Sequence, residues 1–427
     1  MFIGGKMKKI LMMFSVFFSL ITFNAYAATD ITVARFFGDC EDAGNDPTTT
    51  TGEACIIASI INAFDAQNPD INVTQEVLDW GMTYEILQTR YADKNAPDLH
   101  IMHRHRIPQF AGIGVIADLS GELEAYGMDS GDIVPAMMDA LTWNGGMWGI
   151  PLDIHANLMH TNMDAMSAAG LVKNGKPVYP TSSDEMLQQA KACKDAGYEY
   201  MSFQMSDGFL GIRALYALVW QQGSNLFDGK KPTIDTPEVR NAINAFKQLI
   251  DAGYINPGYG YGDAQKMWMD GGACILINGT WVVDYYGDNV DFEYYVGNFP
   301  SLFGGNSATW ADSHMWSVPA DLKSRDPAKY EAVMKLNKFM WDNSINWSRT
   351  GHMSYRASVI ASDEYKNLPH RDEYAETANI MADTPHAEKY GAIQDLIGNN
   401  LIAILTGNKE MDATLKDVQN KMKKLLR

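Results

Sequence analysis

Basic residues are scarce in this chain: 34 Lys and Arg stand against 52 Asp and Glu, a formal charge of −18. That balance excludes nucleic-acid binding through the bulk field, because phosphate contacts need clustered Lys and Arg. The acidity reads as a solvated surface that keeps the chain in solution. Long hydrophobic runs are scarce too. One lies near the N-terminus, and nothing downstream resembles a second span. Enzyme signatures are missing: there is no Gly-x-Ser-x-Gly elbow, no His-Glu-x-x-His pair and no phosphate-binding glycine loop. The remaining enzyme class is a secreted carbohydrate-active hydrolase, which needs two carboxylates at a defined separation. Among many Asp and Glu, no local pattern selects such a pair. No internal repeat, low-complexity tract or long linker divides the sequence.

The N-terminal run has a definite character. Lys6, Lys8 and Lys9 precede apolar residues from Ile10 to Phe23, and Ala25-Tyr26-Ala27 follows. This is the three-part pattern of a secretory signal, with cleavage expected after Ala27. The run is short for a bilayer span, and no cysteine at the cleavage point offers a lipid anchor. The expected product is free in a periplasm. Losing residues 1–27 removes three lysines and no acids, so the formal charge becomes −18 − 3 = −21. Roughly 400 remaining residues exceed what one hydrophobic core usually supports, and two lobes are expected.

Four cysteines remain for an oxidising compartment. Cys40 and Cys55 bracket a polar stretch and are expected to pair, closing a loop worth roughly 3 kcal/mol in chain entropy. Cys193 and Cys274 could be bridged or remain as two buried thiols.

Periodicity places short strands at Ile31 to Phe37, Ile71 to Val77 and Asp98 to Met102, with helices at Ala54 to Ala66 and Tyr84 to Tyr91. Further helices are expected at Ser183 to Ala196, Gly208 to Gln221, Pro237 to Ala252 and Pro327 to Asn343, and again at Ala387 to Leu405 and Asp412 to Leu426. Strands fall at Cys274 to Asn278 and Tyr294 to Pro300, and Asn306 to Pro319 reads as a turn and one strand. Strands alternating with helices imply α/β layers with ligands at the carboxyl ends of the strands.

The order of local motifs resembles the extracellular solute-binding proteins of carbohydrate ABC importers, the group that includes maltose-binding protein. Phe64 to Val73, Ala96-Pro97-Asp98-Leu99, Gly112 to Leu119 and Trp148 to Asp153 carry the match in the first half. Thr161-Asn162-Met163 with Ala169-Gly170-Leu171, Gln222 to Asp228, Met269 to Trp281 and Ser354 to Val359 carry it in the second. Ser354 stands where the family usually has proline. The resemblance implies a two-lobed type II periplasmic binding fold, each lobe a mainly parallel sheet flanked by helices. It implies lobes at 28–153 with 306–352 and at 154–305 with 353–427. Three hinge crossings would fall near Asp153 to Leu158, Asn298 to Gly305 and Gly351 to Ala357. It also implies capture of a sugar or oligosaccharide between the lobes, delivery to an ABC permease, a monomeric state and no catalysis.

A pyranose offers an apolar face and a rim of hydroxyls, so its site needs flat aromatics beside hydrogen-bonding groups. Candidates at the strand ends are Asp39, Trp80, His103, Arg104 and His105. Asp153 and His155 lie at the first crossing, Trp310, Asp312 and His314 near the second, and Arg356 at the third. Gln222 and Trp281 complete the set. Trp80 and Trp281 could equally be core, Asp39 could satisfy loop amides, and Arg356 could pair with a surface carboxylate. The run His100 to Arg106 lacks the Glu and the i, i+4 spacing of a helical zinc site, so no metal and no cofactor is expected there. A basic tip in an acidic protein could instead receive an acidic saccharide such as a uronate. Ferric ion is a further alternative, through Tyr285-Tyr286 or Tyr294-Tyr295, and polyamine another; packing explains the tyrosines better, since neighbours in a strand face opposite ways.

Overall fold

The computed structural model describes residues 28–206, 209–304 and 306–427. The signal-peptide expectation falls on residues 1–27, outside the described residues. In chain order the strands that build the two large sheets are β1 (Thr29–Arg35), β2 (Ile71–Val77), β3 (Leu99–His103), β4 (Ile150–Pro151), β5 (His155–Asn162) and β6 (Glu199–Phe203). They continue as β7 (Ala273–Gly279), β8 (Tyr294–Asn298), β9 (Thr309–Asp312), β10 (His314–Ser317) and β11 (Met381–Asp383).

The first lobe is a five-stranded sheet of order β2-β1-β3-β10-β4. Its parallel pairs β1/β2 and β1/β3 are joined by helical crossovers, while β10 runs antiparallel to both β3 and β4. The second lobe has the order β6-β7-β5-β9-β11, with β8 also paired to β5. There β6/β7 and β9/β11 are parallel, and β5 is antiparallel to its neighbours. Both sheets are thus mixed.

Each sheet has its own core. In the first lobe α1 (Glu53–Gln67) buries Ile56, Ile57, Ile60, Ile61 and Phe64 against β2 and a later helix, Pro327–Asp342. In the second, α2 (Ser183–Asp195) starts at Ser182, whose hydroxyl accepts from the Glu185 amide. The helix α3 (Phe209–Trp220) is apolar except for Arg213 and packs on β9, on α4 (Pro237–Asp251) and on α5 (Tyr390–Leu405). A helix buried on nearly every face reads as a continuous apolar run, which is what its sequence shows.

Both cysteine pairs are bridged. Cys40–Cys55 ties the polar loop to the first turn of α1, and Cys193–Cys274 joins α2 to β7. The second bridge decides between the two alternatives left open by the sequence.

Two boundaries matter for the site. β1 stops at Arg35, which leaves Phe36 and Phe37 beyond the sheet edge. The segment 306–319, expected as a turn and one strand, contains two strands in different sheets, β9 and β10, separated by Ser313 alone. Leu152 to Ile154 connects β4 to β5 in the same way, and Ile154 bridges Met353 on a third passage.

Candidate ligand-binding site

Between the lobes lies a cavity of about 370 Å³, in the roughly 300–1,000 Å³ range of small-molecule sites. The first lobe supplies Phe36 and Phe37 after β1, Glu53 at the start of α1, Trp80 after β2, His103 at the end of β3 and His314 at the start of β10. The second lobe supplies His155, Gln204 after β6, Arg213 on α3, Tyr261, and Trp281 after β7. Five of these positions follow the carboxyl ends of strands, where open α/β sheets place their ligands. A neighbouring cavity of about 420 Å³ shares Phe36, Trp80 and His103 and adds His105 and Arg106. Trp80 is 46% exposed and stands at the mouth.

Two aspartates at the crossings organise the histidines. Asp153 Oδ1 accepts from His155 Nδ1 at 2.9 Å and from the His314 amide at 3.1 Å. Its Oδ2 accepts from His314 Nδ1 and Trp347 Nε1, each at 2.7 Å. Burial alone would raise the Asp153 pKa, but His314, His352 and the bond from His155 hold it well below the ordinary carboxylate value. Asp312 plays the same part with His105 Nδ1 and with Arg104 Nε at 3.1 Å; burial opposes its ionisation, and those two partners overcome it. Arg104 also pairs with Asp383 at 2.9 Å. Burial lowers His105 and His155 to about 4, and it holds His103 well below its usual value with help from His314 and His105.

The apolar side is equally ordered. Trp281 donates its indole N–H to the Tyr261 hydroxyl at 2.8 Å, which fixes the ring. Arg213 lies between two indoles, 4.0 Å from the Trp310 ring centre and 5.2 Å from that of Trp281. Phe37 meets His314 edge-on at 5.0 Å and Trp347 at 4.8 Å. The result is a two-walled cleft of aromatic plates with fixed polar groups between them.

Residues 49–332 match the family model described as bacterial extracellular solute-binding protein. The chain belongs to that family. Among solved structures, this solute-binding protein is similar to an ABC substrate-binding protein from Listeria monocytogenes in complex with cycloalternan, with TM-score 0.78, 20% identity and coverage of 93% and 98% of the two chains. Maltose-bound MalE3 from T. maritima gives TM-score 0.78 at 20% identity, covering 93% of this chain and 100% of that one. Among curated sequences, a putative binding protein of Brucella abortus is 23% identical over 86% of this chain and 88% of its own. Among the described residues, no helix of this solute-binding protein is long and apolar enough to cross a membrane.

Of the residues singled out from the sequence, Trp80, His103, His155, Trp281 and His314 line the central cavity and His105 the adjoining one. Asp153, Asp312 and Trp310 are buried directly behind them. Arg104 is enclosed by its two carboxylates and is not free to receive a uronate; of the arginines in the stretch from His100 to Arg106, Arg106 lines the adjoining cavity. Asp39 is exposed and accepts from the Cys40 amide. Gln222 bonds carbonyls of its own helix and of Glu238, while its neighbour Gln221 is buried on Pro300 and Ala308. Arg356 pairs with Asp132 at 2.8 Å and lies over Trp341, away from both cavities. None of Tyr285, Tyr286, Tyr294 and Tyr295 lines either cavity.

Sequence reasoning missed Phe36, Glu53, Gln204, Arg213 and Tyr261. For Arg213 a signal existed: one guanidinium inside an apolar helix is too costly to bury without a purpose.

Proposed function

We propose that this solute-binding protein captures a sugar or oligosaccharide between its lobes and delivers it to the permease of an ABC importer. The observation that carries the reading is the cavity itself, in which Trp281 and Phe37 offer apolar plates from opposite lobes. His155, His314, Gln204 and Arg213 surround them with hydrogen-bonding groups that suit hydroxyls. Contacts from both lobes are what a ligand needs to favour a closed state over an open one. The bound saccharides named for the similar structures, cycloalternan and maltose, support the same class.

Absence of catalysis is part of this reading. Among the described residues Glu53 is the one carboxylate lining the central cavity, whereas glycoside hydrolysis uses two. Export through the N-terminal signal, a periplasmic location and a monomeric state complete the proposal, supported by the signal pattern and the family. The hinge is assigned to Leu152–Ile154, Ser313 and the passage through Met353.

A thermal-shift screen of the purified protein against neutral and acidic mono- and oligosaccharides tests it, with Fe³⁺ and spermidine as controls. A saccharide at 100 times its Kd adds about 2.7 kcal/mol of stability and raises the melting temperature. Stabilisation by a control alone sinks the sugar reading, and release of shorter sugars during incubation favours a hydrolase.

A further inference from the structure

Beneath the cleft floor, Asp153, His155, His314 and His352 each bring one potential ligand atom within 4.8 Å of the others. They come from three segments, Asp153 with His155, His314 and His352, and all four are buried. His352 is the informative member. The Thr350 hydroxyl donates its only hydrogen to the Trp347 carbonyl at 2.7 Å, so its 2.7 Å contact with His352 Nδ1 has the imidazole N–H as donor. The proton of His352 therefore sits on Nδ1, and Nε2 carries a bare lone pair. Nε2 is buried without a hydrogen-bond partner and points at two carboxylates, Asp153 Oδ2 at 3.6 Å and Glu53 Oε1 at 3.5 Å. Both separations exceed the range of a hydrogen bond from a protonated carboxyl. His352 Nε2 and two carboxylates thus converge, an arrangement that a bound cation would satisfy.

We propose that this cluster is a site for one divalent transition-metal ion of the Zn²⁺ type, held by Asp153, His352 Nε2 and the Nδ1 atoms of His155 and His314. His314 Nδ1 and His352 Nε2 lie 2.7 and 3.6 Å from Asp153 Oδ2, either side of the edge of about 3.3 Å in a tetrahedral zinc site with ligands at 2.0–2.1 Å, and His155 Nδ1 lies 2.9 Å from the other oxygen, Oδ1. Mixed imidazole and carboxylate donors favour such an ion over Ca²⁺ or Mg²⁺. Coordination at Nδ1 moves the proton of His155 and His314 to Nε2, on the ring edge away from Asp153. No proton is lost, and each ring then turns a donor toward the cleft. The surroundings match an outer shell: Trp347 donates to Asp153 and stacks on His352 with centroids 5.0 Å apart, and Thr350 orients His352. Glu53 lines the central cavity, so the ion sits beside the captured solute.

The test uses untagged full chain stripped with a chelator, with Zn²⁺ alone as probe and no sugar present, so its outcome is independent of the sugar reading. Equilibrium dialysis with metal analysis should show one Zn²⁺ per chain, and Co²⁺ should give the intense visible bands of a tetrahedral nitrogen and oxygen site. His352→Gln should weaken Zn²⁺ binding at least tenfold, with Glu53→Gln weakening it less. Failure to bind a stoichiometric Zn²⁺, only the pale bands of octahedral Co²⁺, or unchanged affinity in folded His352→Gln would overturn the proposal. Should His352→Gln not fold, the Co²⁺ spectrum of the unmodified chain decides alone.

Discussion

The guanidinium of Arg213 lies over the Trp310 ring, 4.0 Å from its centre, on the one helix of the second lobe whose sequence is otherwise apolar. The pair fixes a cation against an aromatic plate at the cavity wall. A lysine can carry the charge there but not the planar stacking. Arg213→Lys is expected to weaken binding of the saccharide found in the screen about tenfold, which is about 1.4 kcal/mol. Isothermal titration checks it, and unchanged affinity would remove Arg213 from the site.

Trp281 faces the cavity with its indole N–H already committed to Tyr261, so its contribution to a ligand is the ring surface. Trp281→Ala should cost roughly 2 kcal/mol of ligand affinity through lost stacking area. Trp281→Phe should recover most of it. Intrinsic fluorescence should change on ligand addition in the parent protein and far less in Trp281→Phe.

Asp312 holds Arg104 and His105 in a fully enclosed site. Replacing one partner of a buried pair strands the other charge, so Asp312→Asn should lower unfolding stability by about 3–5 kcal/mol. Urea denaturation at neutral pH measures this.

His160 is buried, bonded through Nδ1 to Tyr294 at 2.7 Å and through Nε2 to the Gly279 carbonyl at 3.1 Å. Burial is the main cause lowering its pKa from 6.5 to about 3. The neutral ring is the stable form in the fold, so its contribution is complete above the unfolded value of 6.5. It is lost progressively as the pH falls from 6.5 toward 3, by up to about 1.4 kcal/mol per unit. Denaturation midpoints at pH 7, 5 and 4 should decline, and His160→Gln should flatten that decline.

The bridges should separate by role. Losing Cys193–Cys274, which spans 81 residues, should destabilise by about 4.5 kcal/mol, and losing Cys40–Cys55, which spans 15, by about 3 kcal/mol. The second change also loosens the first turn of α1, where Glu53 faces the cavity, so ligand affinity should fall with it. Paired Cys→Ser variants, scored for both melting and binding, distinguish the two.

Much of the fold was legible because its elements keep a clean local pattern. Ile71 to Val77 was read to the residue, and Pro327 with its amphipathic run marks a helix that differs by one residue at its end. Ser313 was invisible for a physical reason: β9 and β10 are each fully buried, and the polar run Asp312-Ser313-His314 between them holds no glycine, proline or asparagine to mark a break. The strand-end rule found His103 and Trp80, and the family resemblance led to Trp281. Neither found Glu53, whose place depends on a helix start anchored by a distant disulfide partner. Gln222, taken from a helix end, and Arg356, taken from the family resemblance, have side chains absorbed by Glu238 and Asp132.

Under the proposed hinge, Ser313 sets where a swing of the lobes is smallest. Asp312 belongs to one sheet and His314 to the other, so the fulcrum is a single residue wide, and the Arg104 and Asp153 clusters sit almost on it. For a given rotation, displacement grows with distance from the axis. The charge pairs beside the fulcrum can stay made through a swing that carries rim residues such as Trp80 far. Opening the jaws therefore need not break the electrostatic bearing on which they turn.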